Sequence, residues 1–157
     1  NAVYDPARSL PTLDFRGTVK LHGTNAGIVW QKDSPALSFQ SRERELEFTS
    51  DNAGFMLYMS GQIQELHGIF ESIRGAIAGD PQTIVLFGEW CGKGIQKSVA
   101  ISQCEKMFVI FAIRVDGTRW LNLAEFMDIE RPDIRIFNIL RFGWWDTTIN
   151  FEMPQMA

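Results

Sequence analysis

Lys20 lies near the end of a short segment, Thr18 to Leu21, just before a turn-like stretch carrying His22, Gly23, Thr24 and Asn25. A lysine set there projects from ordered backbone rather than from a mobile loop. Its amine is nucleophilic only when neutral, which takes desolvation or neighbouring positive charge. Arg42 and Arg44 could supply that charge and also hold phosphates. Glu89 lies near the end of an apolar run, where a carboxylate needs a hydroxyl or a cation as partner. Gly92-Lys93-Gly94 permits close backbone approach and carries a cation, as a phosphate site would want. Each residue also has a plain structural reading. A strand-end lysine can guard a sheet edge, Arg42-Glu43-Arg44-Glu45 can be a solvated run of weak ion pairs, and Glu89 can simply pair with Lys93 or Arg42. What carries weight is that a nucleophile, phosphate-binding cations and a carboxylate occur together.

These residues need elements to hold them. Thr18 to Leu21 and Gly27 to Gln31 read as two strands joined by a turn at His22-Gly23-Thr24-Asn25, and Ala36 to Gln40 alternates as a third strand. Phe55, Met59, Ile63, Leu66, Phe70, Ile73 and Ile77 recur at spacings of three and four, which predicts one long helix with a core-facing stripe. Asp51 or Ser50 can cap its start, and Gly79-Asp80-Pro81 ends it. Thr83 to Trp90 and Lys106 to Val115 are apolar without alternation, as strands buried on both faces are. Asp116-Gly117 signals a hairpin into a short strand at Arg119 to Leu121. Asn122 can cap a short helix reaching about Glu130, and Ile134 to Phe137 and Trp144 to Phe151 read as further strands. The class is therefore α+β, a mainly antiparallel sheet with one long inserted helix.

Composition limits the alternatives. A chain of 157 residues with 45% hydrophobic and 22% charged residues is that of one globular domain with a real core. Its 15 Lys and Arg against 19 Asp and Glu give a net charge of −4, so bulk attraction to nucleic acid or anionic lipid is excluded and any such contact rests on a local patch. Cys91, Cys104, His22 and His67 match no zinc spacing, and no metal ligand set is assigned; two reduced thiols are favoured over a disulfide. The apolar runs are too short to cross a membrane.

Lys20-Leu21-His22-Gly23-Thr24-Asn25-Ala26 resembles motif I of the RNA ligases, a branch of the covalent nucleotidyltransferase superfamily that also holds DNA ligases and capping enzymes. Ser41-Arg42 looks like motif Ia, Phe87-Gly88-Glu89-Trp90 through Gly94-Ile95-Gln96 looks like motif III, and Met107 to Phe111 looks like motif IIIa, in the family's order. His22 and Asn25 argue against the DNA ligase and capping branches. The resemblance implies a nucleotidyltransferase (ATP-grasp-like) sheet and an ATP-dependent, bacteriophage-type RNA ligase. Lys20 would attack the α-phosphate of ATP, release pyrophosphate and carry AMP. The AMP would pass to an RNA 5′-phosphate, and a 3′-hydroxyl would displace it to seal the strand. Arg42 would contact the phosphate or ribose side, Glu89 would accept from a ribose hydroxyl, and Phe111 would stack on adenine. His22, Gly23, Thr24 and Asn25 would shape the phosphate pocket or guide the RNA end, and Mg²⁺ would offset triphosphate charge.

The pattern departs from the family in three places. Val19 stands where Glu is frequent, so adenine recognition there would rest on backbone; Ala112 replaces a common aspartate; and motifs IV and V are not seen. The expectation is that residues 1–157 are an adenylyltransferase domain from the N-terminal part of a longer ligase. Its implied location is the cytoplasm, a host's if phage-encoded, and its partners are RNA ends and no membrane. The runner-up is a non-catalytic nucleotide- or RNA-binding module that keeps the pocket without the chemistry.

Overall fold

The computed structural model describes residues 20–47 and 49–123, and the backbone of 134–136. Residues 21–138 form one compact unit; residues 1–20 with 139–157 form a second, of which Lys20 alone is described.

The first strand, β1, runs unbroken from Gly23 to Gln31, so the expected turn at residues 22–25 does not form. Tertiary pairing overrides local turn preference here. All nine positions pair with β3, Thr83–Cys91, from Gly23 opposite Cys91 to Gln31 opposite Thr83. Gly23 serves close approach rather than a turn: a Cβ there would stand 2.1 Å from the Trp90 carbonyl oxygen. β2, Ser38–Ser41, begins two residues later than the alternation predicts and pairs with the middle of β1. β4, Met107–Val115, lies on the far side of β3, and a turn with Asp116 and Gly117 both at positive φ returns the chain as β5, Arg119–Trp120. The sheet order is β2-β1-β3-β4-β5, antiparallel throughout, while β6, Ile134–Ile136, adds to β4 in parallel. The expected helix after Asn122 and strand at 144–151 lie outside the described residues.

The single long helix becomes two, α1 at Phe55–Ser60 and α2 at Ile63–Ala76. Ser60 and Gly61 make the break. The Ser60 hydroxyl donates to the Met56 carbonyl at 2.6 Å, and Gly61 N–H turns back to Tyr58 O at 3.1 Å. The apolar stripe keeps its phase across the break, which is why spacing alone shows one helix. Asp51 caps α1 from upstream, its carboxylate accepting from Met56 N–H at 2.8 Å and Leu57 N–H at 3.0 Å.

Both helices cover one face of the sheet. Ala26, Ile28, Trp30, Phe39, Ile84, Leu86, Trp90, Phe108, Ile110, Ile113 and Val115 pack there against Phe55, Met59, Leu66, Ile69, Phe70 and Ile73. Phe55 is the hub, with ring centroids 5.0 Å from Phe108, 5.6 Å from Trp90 and 6.1 Å from Phe39. The opposite face is only partly covered. Burial of β3 and β4 on both faces, as their apolar runs imply, therefore holds only in part: on this face Val85, Cys91, Met107 and Val109 are buried, while Phe87 and Glu89 are half-buried and Phe111 is exposed.

Candidate active site

Successive strand residues alternate between faces, so Gly23, Asn25 and Gly27 lie on the open face while Thr24, Ala26 and Ile28 face the helices. Asn25 stands directly opposite Glu89, which in turn stands opposite Val109 on β4. Glu89 Oε1 accepts a 3.0 Å hydrogen bond from Gly23 N–H. Gly23 and Glu89, 66 positions apart in the sequence, are therefore joined by a direct contact.

Phe111 shares that face with Val109, and a β-bulge sits at it. Phe87 pairs with Ala112 and Gly88 with Ile110, which leaves Phe111 as the extra, unpaired residue. Phe111 faces outward by alternation from Val109 and is 43% exposed; the bulge adds Ala112 to that face, opposite Phe87, and moves the inward positions of β4 from Phe108 and Ile110 to Ile113 and Val115. A large aromatic left that exposed at a strand centre contributes little to the core, and its face is free to stack. Further along, the Arg114 guanidinium lies over the Phe87 and Trp120 rings at 5.0 and 5.6 Å.

The remaining expected residues divide into two sets. His22 and Arg42 are exposed, with no hydrogen bond or ion pair among the described residues. Arg44, the other candidate cation, is committed elsewhere: its guanidinium donates to the Ser50 carbonyl, to Ser50 Oγ at 2.9 Å and to the Asp51 carbonyl at 3.3 Å. Thr24 lies on the helix face, and its hydroxyl donates to Asn52 Oδ1 at 3.2 Å. Lys20 is exposed and precedes β1 in the chain by three residues. Lys93 is exposed in the loop after β3. Val19 lies outside the described residues.

Sequence reasoning missed the roles of Gln96 and Asn52. Gln96 Nε2 donates to the Gly23 carbonyl at 3.2 Å, so that peptide unit's flanking groups are held by Glu89 and Gln96 together. Asn52 Nδ2 donates to the Asn25 carbonyl at 3.1 Å. No pattern announces an asparagine that acts on a strand 27 positions away.

Cys91, beside Glu89, is buried, and burial first and the Glu89 charge second push its thiol up to about 12. It is an inert group rather than a nucleophile. Cys104 is exposed, and both thiols are free. Among the described residues no group of three or more His, Cys, Asp or Glu is placed to hold a metal ion. No helix among them is long and apolar enough to cross a membrane.

A profile of the RNA ligase family matches residues 14–148. A comparison with curated protein sequences returns no match. Among solved structures the chain is similar to three of Naegleria gruberi RNA ligase: an apo lysine-to-alanine mutant at 21% identity, and two lysine mutants at 22%, one with ATP and Mn and one with AMP and Mn. Each has a TM-score of 0.51, and each alignment covers 74% of this chain but only 31% of the other. At such identity the likeness speaks for the fold, the mainly antiparallel sheet that these ligases share. The family profile, running across most of the sequence and taking in β1 to β6, settles the kinship: this chain belongs to the RNA ligase family.

Proposed function

We propose that this chain is the adenylyltransferase domain of an ATP-dependent RNA ligase, with Lys20 as the covalent nucleophile. The observation that carries the reading is the contact between Glu89 and Gly23, which fixes the strand start next to Lys20 against the carboxylate that would meet the ribose. In the first step Lys20 Nζ bonds to the α-phosphorus of ATP, the bond to pyrophosphate breaks, and the amine gives up a proton. In the second, an oxygen of an RNA 5′-phosphate attacks the same phosphorus, the P–N bond breaks and Lys20 recovers its proton. In the third, an RNA 3′-hydroxyl attacks the activated 5′-phosphate, loses its proton and expels AMP.

Adenine stacks on Phe111, whose ring faces outward from the bulge. A carboxylate accepts several hydrogen bonds, so Glu89 can serve a ribose hydroxyl while holding Gly23. Of Arg42 and Arg44, Arg42 is the one left for the phosphates, since Arg44 is engaged by Ser50 and Asp51. His22, Gly23 and Asn25 line the phosphate side, and Thr24 acts through its backbone, its hydroxyl being engaged by Asn52. Two of the Naegleria structures hold ATP or AMP with Mn, which supports a nucleotide and a divalent ion as ligands here; Mg²⁺ would travel with the triphosphate.

Intact mass after incubation with ATP and Mg²⁺, followed by peptide mapping, tests the reading. The expected result is a gain of one AMP on Lys20, abolished in Lys20→Ala while reversible ATP binding persists. ATP binding without any adduct in the unaltered protein would instead identify a nucleotide-binding module.

A further inference from the structure

β2 ends at Ser41, opposite Ala26, so Gly23, Thr24 and Asn25 run past its end with β3 as their strand partner. Backbone groups on the other edge of that segment must find side chains or remain with water. Three side chains meet them. Glu89 takes Gly23 N–H, Gln96 takes the Gly23 carbonyl, and Asn52 takes the Asn25 carbonyl while accepting from the Thr24 hydroxyl.

We infer that Asn52 is a positioning residue for lysine adenylylation: it acts through Thr24 and Asn25, holding the strand start so that Asn25 faces Glu89. The inference rests on the reading of Lys20 as nucleophile. Asn52 is itself firmly based. Its own N–H donates to Asp51 Oδ1 at 2.6 Å, and that carboxylate also caps α1. Arg44 holds the Ser50 and Asp51 carbonyls, and the Ala53 carbonyl accepts from the Trp90 indole N–H at 3.0 Å. Residues 50–53 therefore form a clasp tied to α1, to β3 and to Arg44, from which the amide reaches β1. An amide suits this place because it donates and accepts at once, as the Asn25 carbonyl and the Thr24 hydroxyl require. An aspartate would keep the second bond and lose the first.

The test measures two things in the protein and in Asn52→Ala, Asn52→Asp and Thr24→Val: single-turnover adenylylation over a range of ATP, and amide hydrogen exchange in the absence of ATP. Asn52→Ala is expected to lower the rate at saturating ATP on the order of tenfold, with the KM for ATP within about twofold of the unaltered protein. Exchange is expected to quicken over residues 21–27 and to stay unchanged over α1. Asn52→Asp should match Asn52→Ala, and Thr24→Val, which keeps the bond to Asn25, should lose less. An unchanged rate and unchanged exchange in Asn52→Ala overturn the inference. Exchange that quickens throughout the chain also overturns it, because Asn52 would then support the fold at large. If the unaltered protein forms no adduct, the reading of Lys20 fails and the catalytic half of the inference with it. The exchange data then still decide whether Asn52 holds the strand.

Discussion

The two faces of the β1-β3-β4 sheet are made by the same strands and differ in almost everything else. On the helix side, Ile28, Leu86, Trp90, Phe108 and Ile110 are fully or almost fully buried and close around Phe55. On the other side stand the half-buried Asn25 and Glu89 and the outward ring of Phe111 beside the buried Val109, and the edge of β1 that runs past β2 is held by side chains. Alternation by single residues is what lets one strand serve both ends, because a rigid packed face fixes the positions of the groups opposite it. The bulge at Phe111 is the one place on these strands where the alternation is broken, and it breaks in favour of the open face.

Substitutions should separate the faces. Phe55→Ala removes the ring that joins helix to sheet, and it should cost about 3–5 kcal/mol in a denaturant titration, a large part of a domain's total stability. A loss of less than about 1 kcal/mol would show that the helix face is not the foundation. Glu89→Gln keeps an acceptor for Gly23 N–H but removes the charge. Adenylylation should fall roughly 10- to 100-fold while stability shifts by less than about 1 kcal/mol, and a fold that collapses instead would make Glu89 structural. Phe111→Ala should raise the KM for ATP roughly tenfold, the worth of a base–aromatic stack, and leave the unfolding midpoint nearly unchanged.

The smallest effect at neutral pH belongs to Cys91. Burial raises its thiol from 9.0 to about 12, so the native state keeps a proton that the unfolded chain gives up. Its contribution to stability is whole below pH 9.0 and is lost as the pH rises from there toward about 12. Cys91→Ser should flatten that part of the stability curve. A thiol reagent at neutral pH should label Cys104 in the native protein and reach Cys91 only on unfolding.

Much of this arrangement was legible in the sequence, for reasons that can be traced to particular residues. β3 and β4 show as apolar runs, and the Asp116-Gly117 hairpin follows from the left-handed geometry both residues tolerate. The motif around Lys20 pointed to the family because its residue types are specific. Three features were hidden. The break at Ser60-Gly61 leaves the stripe in phase, so periodicity could not show it. Gly23 and Asn25 favour turns locally, yet full-length pairing with β3 draws them into a strand. The clasp of Asn52 and the bulge at Phe111 depend on which strands become neighbours, and local sequence does not carry that information.

The central claim is that the open face is the nucleotide face. A crystal structure of Lys20→Ala with ATP and Mg²⁺ tests it most directly, because the nucleotide cannot be consumed. The adenine ring should lie on Phe111, with a ribose hydroxyl within hydrogen-bonding distance of Glu89 and the phosphates turned toward Arg42. ATP bound elsewhere on the molecule, or on this face with Phe111 and Glu89 untouched, would contradict the account.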